Sequence, residues 1–466
     1  MIAMTLAEIA QAVSGRLGRT EDAGVVVSGA AAVDSRAVPV GGLFVAVVGE
    51  RVDGHDYVDA ALARGAAAVL ATRPVDAPHV LVEDPLVALG LLARHLVDSL
   101  ETVSVLALTG SQGKTGTKDY LAQVLGVVEA TVATAGNNNN ELGVPLTVLR
   151  ADASTRFLVV EMGARGIGHV SQLCRIAPPD VSAVLNIGTS HVGEFGSREN
   201  IALAKGEIVE ALEPTGTAVL NADDPMTAAM TSRTRARVLT FGLAEDADVR
   251  GTDVEMDVLG RPAFTLHHAG RSARVVLTHM GAHQVSNALA AAAMALSVGV
   301  ELEVVAHALG TTGNFSRWRM EPHVRGDGLL VVNDTYNANP ESMIAAVDAL
   351  AHLGANRAGR TFAVLGEMRE LGPDSAASHL RVGEHVGASA IDVLVTIGEA
   401  AERIAEGARR TPGWVGDVVV TASRDEAVKW VRDNVLAADA VLVKASRGAA
   451  LEHVVDELLV EGTAVR

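Results

Sequence analysis

The sequence predicts an α/β protein of three units, the second and third built on parallel sheets. Three observations carry that prediction. The chain has 466 residues, about three times the ~150 residues of an average domain. Short apolar runs recur along it with helical stretches between them, the pattern of parallel strands covered on both faces. The run that opens the middle unit ends in a glycine-rich turn of phosphate-binding type that leads into a helix. Apolar residues make up 49% of the chain and charged residues 20%, enough to fill several cores and too apolar for a disordered chain.

The elements follow in order. In residues 1–101, the runs 43–48 and 67–71 read as strands and 57–64 and 85–100 as helices, giving a small α/β unit. Residues 102–317 form a central P-loop-type unit with strands at 103–108, 157–160, 181–185, 217–220 and 238–241. Between 248 and 279 the alternation changes to that of antiparallel hairpins, a small β addition, and 283–298 is an alanine-rich helix. Residues 318–466 repeat the alternation with strands at 329–332, 361–365, 393–397, 418–420 and 441–443, a Rossmann-like doubly wound unit.

Charge and composition exclude several classes. The formal net charge is −18, and no basic run of the kind a nucleic-acid binder carries is present. The single cysteine, Cys174, excludes a disulfide scaffold and a cysteine zinc site, and fits a reducing compartment. The first ten residues lack a basic leader pattern and are interrupted by Glu8. The longest apolar run, 288–300, is too short to span a bilayer. The expectation is a soluble cytoplasmic protein, with a monomer as the default. Positive charge is written almost wholly as arginine: 33 arginines against five lysines, Lys114, Lys118, Lys205, Lys429 and Lys444. Positions that stay lysine are candidates for a compact, flexible amine.

The chemistry-bearing residues begin with Thr109-Gly110-Ser111-Gln112-Gly113-Lys114-Thr115. Glycines let backbone N–H groups wrap phosphate oxygens, the helix start adds a favourable dipole, Lys114 reaches terminal phosphates, and the Thr115 hydroxyl is placed to ligate Mg²⁺. Glu161 ends the next strand, where a metal-ligating acid would sit beside the loop. His191 follows the 181–185 strand at the same rim. Lys205 lies in a helical stretch; a neutralised lysine amine, unlike arginine, can take up CO₂ as a carbamate, an anionic oxygen ligand for a divalent cation.

With these stations in order, the sequence resembles the Mur ligase family of ATP-dependent peptide-bond-forming enzymes. The phosphate loop, Glu161, Thr189-Ser-His191 and Ala204-Lys-Gly-Glu207 carry the resemblance, as does Gly281-Ala-His283-Gln-Val-Ser-Asn287. Further motifs are similar to those of its D-alanyl-D-alanine-adding branch: Asn333-Asp334-Thr-Tyr336-Asn337-Ala-Asn339-Pro-Glu-Ser342-Met343, Leu365-Gly-Glu-Met-Arg-Glu370-Leu-Gly372, Gly136-Asn137-Asn-Asn-Asn140-Glu-Leu-Gly143 and Val443-Lys444-Ala-Ser-Arg447. Near the N-terminus, Asp34-Ser35-Arg36 and the stretch containing Arg51, Gly54 and His55 resemble the family's UDP-sugar-binding domain. Two departures stand out. Residues 137–140 are four asparagines, and Asn314-Phe-Ser-Arg317-Trp-Arg319-Met320 stands where a Pro-Gly-Arg-Met-like element is common in the family.

The resemblance implies a first domain that binds UDP-N-acetylmuramoyl-tripeptide, a central ATP domain and a C-terminal ligase domain. It implies attack of the peptide carboxylate on ATP, an acyl phosphate, and displacement of phosphate by D-alanyl-D-alanine. Lys114, His191 and Lys205 would be catalytic. Two Mg²⁺ ions would be held through Thr115, Glu161, His191 and a carbamylated Lys205. His283, Asn287, Arg319, Asp334 and Asn337 would join the phosphate loop in binding nucleotide. Substrate would meet Ser35, Arg36, Arg51, Gly54, His55, Asn137, Asn140, Tyr336, Asn339, Ser342, Lys444 and Arg447. A nucleotide site shared by two domains implies a hinge, expected at 314–322. The alternatives are a relative of the same ligase group with another acceptor, such as a folylpolyglutamate synthase, a P-loop switch or motor protein, and a homologue that binds nucleotide without catalysis.

Overall fold

The computed structural model describes residues 1–189, 192–311, 313 and 316–460. Three sheets organise it. The first, of five short strands, runs in the order Arg16–Leu17, His79–Leu81, Ala68–Ala71, Leu43–Val45, Ala31–Ala32 and is parallel except at its first pair. The second has nine strands. From Thr131–Ala133 through Phe157–Glu161, Ser104–Thr109, Val181–Val184, Thr217–Asn221 and Arg237–Gly242 to Val249–Met256 every pairing is parallel. The strands Pro262–His268 and Arg271–Val276 then extend it antiparallel. The expected β addition is therefore continuous with the central sheet: Val249 pairs in parallel with Phe241 before the chain turns into hairpins. The third sheet runs Glu321–Val324, Leu330–Asp334, Ala440–Lys444, Thr361–Leu365, Val393–Ile397, Asp417–Thr421, parallel but for its first pair.

Period-two alternation explains why these runs are apolar throughout. Val105 and Ala107 point into a core shared with the first unit's helices, and Leu106 and Leu108 into a second core under the alanine-rich helix His283–Ser297. In the third sheet Leu330 and Val332 face one core and Leu329 and Val331 the other. The first core joins Leu6, Leu89 and Leu92 to Val144, Leu158 and Ile201, so the first and central units pack as one body. No helix among the described residues is long and apolar enough to cross a membrane.

The sheet order positions the site. Ser104–Thr109 lies between the strands that end at Glu161 and Val184, with Glu161 opposite Leu108 and Val184 opposite Thr109. In the third sheet, Asp334 and Leu365 both stand opposite Lys444. The carboxyl ends of parallel strands are where α/β sheets bind ligands, and here two such rims face one cleft.

Candidate active site

The cleft between the two rims has a volume of about 690 Å³. Its floor is the phosphate loop between Ser104–Thr109 and the helix Lys114–Gly126. Gly113 precedes that helix at φ +76°, and a Cβ there would lie 2.3 Å from Asn287 Oδ1, so only glycine fits the turn. Asn186 staples the loop: its Oδ1 accepts from the Gln112 N–H at 3.0 Å and its Nδ2 donates to the Gln112 carbonyl at 3.3 Å. The Ser111 hydroxyl accepts from Gly188 N–H at 2.9 Å. Lys114 Nζ donates to the Gly110 carbonyl at 2.6 Å. Burial pulls the Lys114 pKa below the ordinary amine range, opposed by Glu161.

Glu161 is buried beside the loop. One carboxylate oxygen accepts from Asn139 Nδ2 at 2.8 Å, and the other is buried without a hydrogen-bond partner among the described residues. Lys205, in the helix Arg198–Glu210, is buried and makes no hydrogen bond or ion pair to a described residue. Burial, then the charge of Lys114, pull its pKa well below 10.5, which favours the uncharged amine. Glu207, two residues further along the same helix, accepts from the backbone N–H groups of Gly168 and Ser171 and caps the helix His169–Ile176. His191 lies outside the described residues.

The third unit supplies the opposite wall. Arg319 Nη2 donates to the Thr115 hydroxyl at 3.3 Å, and its guanidinium lies 4.1 Å from the Tyr336 ring centroid. Its Nε is buried without a partner, as is Nδ1 of His283 at the start of the helix His283–Ser297. Burial pulls the His283 pKa down, which keeps the ring neutral. Asp334 accepts from the Met320 N–H at 3.2 Å and from Lys444 Nζ at 2.6 Å, and Lys444 also donates to the Asn337 carbonyl at 2.8 Å. The two residues flanking Arg319 carry left-handed backbone, Trp318 at φ +63° and Met320 at φ +47°. The departure from Pro-Gly-Arg-Met thus leaves a tryptophan in a conformation that favours glycine, and Arg447 stacks on its ring at 4.4 Å.

The cleft gathers Ser111, Gln112, Gly113, Lys114, Thr115, Glu161, Lys205, His283, Asn287, Arg319, Asp334, Tyr336 and Asn337, with Asn137, Asn140, Asn339, Ser342, Lys444 and Arg447. Several of these side chains are spent on the protein itself. Asn287 packs under Gly113 and accepts from the Thr117 hydroxyl. Lys444 and Asp334 form a buried ion pair. Asn339 and Ser342 form a reciprocal cap on the helix Pro340–Ala355. Asn140 Oδ1 accepts from Gly143 N–H. Thr109 and Gly110 lie beneath the lining, and the first unit's candidates lie outside it. There Ser35 is buried and Arg36 pairs with Asp34, holding that carboxyl down at about 2. Arg51 is exposed, Gly54 N–H donates to the Val47 carbonyl, and His55 is fixed by Asp53 at Nδ1 and by Thr72 N–H at Nε2.

Sequence reasoning passed over Asn139 and Asn186, which orient Glu161 and the loop, and Arg165, His169 and Arg369, which line the cleft. Four adjacent asparagines give no signal of which one bonds Glu161. Asn186 had one: it directly follows a strand end in a sheet whose other strand ends carry the site.

A phosphate loop, a strand-end carboxylate and a second α/β unit closing over both define an ATP-dependent ligase architecture, and the chain belongs to the Mur ligase family. Family models match as the Mur ligase family catalytic domain over residues 31–95, the Mur ligase middle domain over 108–295 and the Mur ligase glutamate ligase domain over 318–447. The chain is 42% identical to the UDP-N-acetylmuramoyl-tripeptide–D-alanyl-D-alanine ligase of Mycobacterium tuberculosis, over 99% of both chains. It is 36% identical to the enzyme of the same name from Escherichia coli, over 99% of this chain and 100% of that one. Among solved structures, MurF from Acinetobacter baumannii superposes with a TM-score of 0.87 at 32% identity, covering 98% of this chain and 99% of that one. The MurF ligase of Thermotoga maritima in complex with ADP superposes at 0.79 and 31% identity, covering 93% and 97%.

Proposed function

We infer that this chain is the ATP-dependent ligase that joins D-alanyl-D-alanine to UDP-N-acetylmuramoyl-tripeptide in peptidoglycan precursor synthesis. The observation that carries the reading is the cleft. Glu161 Oε2, His283 Nδ1 and Arg319 Nε are buried without hydrogen-bond partners among the described residues, yet all three residues line the same space as the phosphate loop. Buried polar atoms are rarely left unsatisfied, so a polar ligand completes them.

The tripeptide carboxylate oxygen attacks the γ-phosphorus of ATP and ADP leaves. The dipeptide amine then attacks the acyl carbon, the C–O bond breaks and phosphate departs. Two anions must meet in the first step, so its cost is electrostatic and positional. Lys114 and Arg319 supply positive charge from the two walls, and the Gly113 turn aims backbone N–H groups at the phosphates. The unpartnered Glu161 oxygen and the Thr115 hydroxyl would hold one Mg²⁺ ion, and Lys205 with His191, which lies outside the described residues, would hold a second. Mg²⁺ draws several of its ligands from phosphates and water. Bound there, the ion neutralises charge on the transferring phosphoryl group. The neutral amine of Lys205 is the form that takes up CO₂ as a carbamate.

We assign residues 1–101 to the UDP-muramoyl-peptide, 102–317 to ATP and 318–466 to the dipeptide, in a cytoplasmic monomer. The test is phosphate release from ATP with the UDP-muramoyl-tripeptide, with and without D-alanyl-D-alanine, followed by product mass. Release that needs both, with a product heavier by the dipeptide less water, is expected. Release only with a different carboxylate or amine would overturn the substrate assignment.

A further inference from the structure

The phosphate-loop helix also carries the chain that leads into the third unit. Thr115, Asp119 and Gln123 are four residues apart and so form one stripe along the helix, spanning about 12 Å. The connecting chain meets that stripe at three points in reverse order. Gly313 N–H donates to Gln123 Oε1 at 3.1 Å, Ser316 N–H donates to Asp119 Oδ2 at 2.9 Å, and Arg319 Nη2 donates to the Thr115 hydroxyl at 3.3 Å. The middle point is the strongest. The Ser316 hydroxyl donates to Asp119 Oδ1 at 3.3 Å, and Lys118 bonds both that oxygen and, at 3.3 Å, the Ser316 hydroxyl. Lys118 and Asp119 are both buried, so the bonds are charge-assisted and sheltered from water.

The loop lysine accounts for Lys114, but nothing in phosphate binding accounts for Lys118, one turn further along and committed to Asp119 and Ser316. We propose that Asp119, supported by Lys118, is a positioning residue: it anchors the connecting chain on the nucleotide helix and so sets where Arg319 meets the terminal phosphate. The anchor lies three residues before Arg319, which leaves the arginine little freedom to miss. The left-handed backbone at Trp318 and Met320 is held between this anchor and the Met320–Asp334 bond.

The proposal rests on the loop binding ATP, which the unaltered chain tests by itself. Dissociation constants are measured by calorimetry for Mg·ADP and for the Mg complex of an imido-bridged, non-hydrolysable ATP analogue. Four proteins are compared: the unaltered chain, Asp119→Ala, Arg319→Ala and the double variant. Asp119→Ala is expected to weaken the triphosphate analogue about tenfold and ADP far less, roughly the loss of one hydrogen bond to a charged group. In the Arg319→Ala background it should cost nothing further, because coupled residues are non-additive. Equal weakening of both nucleotides, or the same loss in both backgrounds, would mean that Asp119 only supports the helix, and would overturn the proposal. Ser316→Pro, which deletes the donating N–H and leaves the helix untouched, should give the same split if Asp119→Ala does not fold. Failure of the unaltered chain to bind either nucleotide would refute the ATP reading and this proposal with it.

Discussion

The five lysines divide by burial. Lys118, Lys205 and Lys444 are buried, Lys114 is half-buried, and Lys429 alone is exposed. The four that are buried or half-buried stood out because lysine is rare against the arginine-rich background. Their jobs were not legible, because Lys444 finds Asp334 and Lys118 finds Ser316 across long stretches of chain. Breaking a buried ion pair strands a charge, so Asp334→Ala should destabilise the third unit by about 3–5 kcal/mol, while Asp334→Leu with Lys444→Met should cost much less; chemical denaturation of both variants checks this. Lys205 has no partner among the described residues and a depressed pKa. Lys205→Met should therefore abolish turnover yet raise the melting temperature of the nucleotide-free protein by about 2–4 °C. The sign of the pH dependence follows. Between the depressed folded pKa and about 10.4 the unfolded state binds more protons, so the native lysine's penalty shrinks as pH rises. The advantage of the methionine should narrow from pH 7 to pH 10 in parallel melts.

At the scale of elements, the strands that carry the site were readable because continuous apolar runs ending in Thr109, Glu161, Asp334 and Lys444 need only local sequence to be recognised. The turn before Pro340 was also readable, since asparagine and proline favour one. Its chemistry was not. Asn339 and Ser342 sit in a motif that suggests substrate contact, yet they cap the helix Pro340–Ala355. Asn339→Ala should cost about 1 kcal/mol of stability, measurable by thermal denaturation, with its effect on KM for the dipeptide following from movement of the helix. The four-asparagine run, all of which lines the cleft, hid which member bonds Glu161. Asn139→Ala removes the bond that orients Glu161 and should lower kcat more than it raises KM for ATP, whereas Asn137→Ala should do neither. Steady-state kinetics on the two variants separates them. The hairpin region could not be placed from its pattern, because only the pairing of Val249 with Phe241 makes it part of the central sheet.

At the scale of the whole molecule, the described contacts between the third unit and the central one include the connecting chain on the phosphate-loop helix, Thr189 against Glu341, Gly193 against Gly372, and His352 Nε2 on the Asp257 carbonyl at 2.7 Å. We propose that these contacts part for nucleotide exchange by a bend at 314–322, of which 314 and 315 lie outside the described residues. A net charge of −18 opposes the approach of an anionic UDP-peptide beyond the short range of the site's own cations. At constant Mg²⁺, kcat/KM for that substrate should rise as ionic strength is brought from low to physiological values. The first unit was the least legible part of the site. Arg36 and His55 read as substrate contacts; Arg36 Nε and Nη2 pair with Asp34, and both His55 ring nitrogens are engaged by Asp53 and Thr72, pairings set by local turns that the motif does not reveal. The central claim is that ATP activates the tripeptide carboxylate as an acyl phosphate before the dipeptide arrives. The direct measurement places oxygen-18 in that carboxylate and follows the released phosphate by mass or phosphorus resonance. One labelled oxygen per phosphate is the predicted result, because the attacking oxygen leaves with the phosphoryl group; phosphate free of label in a reaction that still forms the amide would contradict the account.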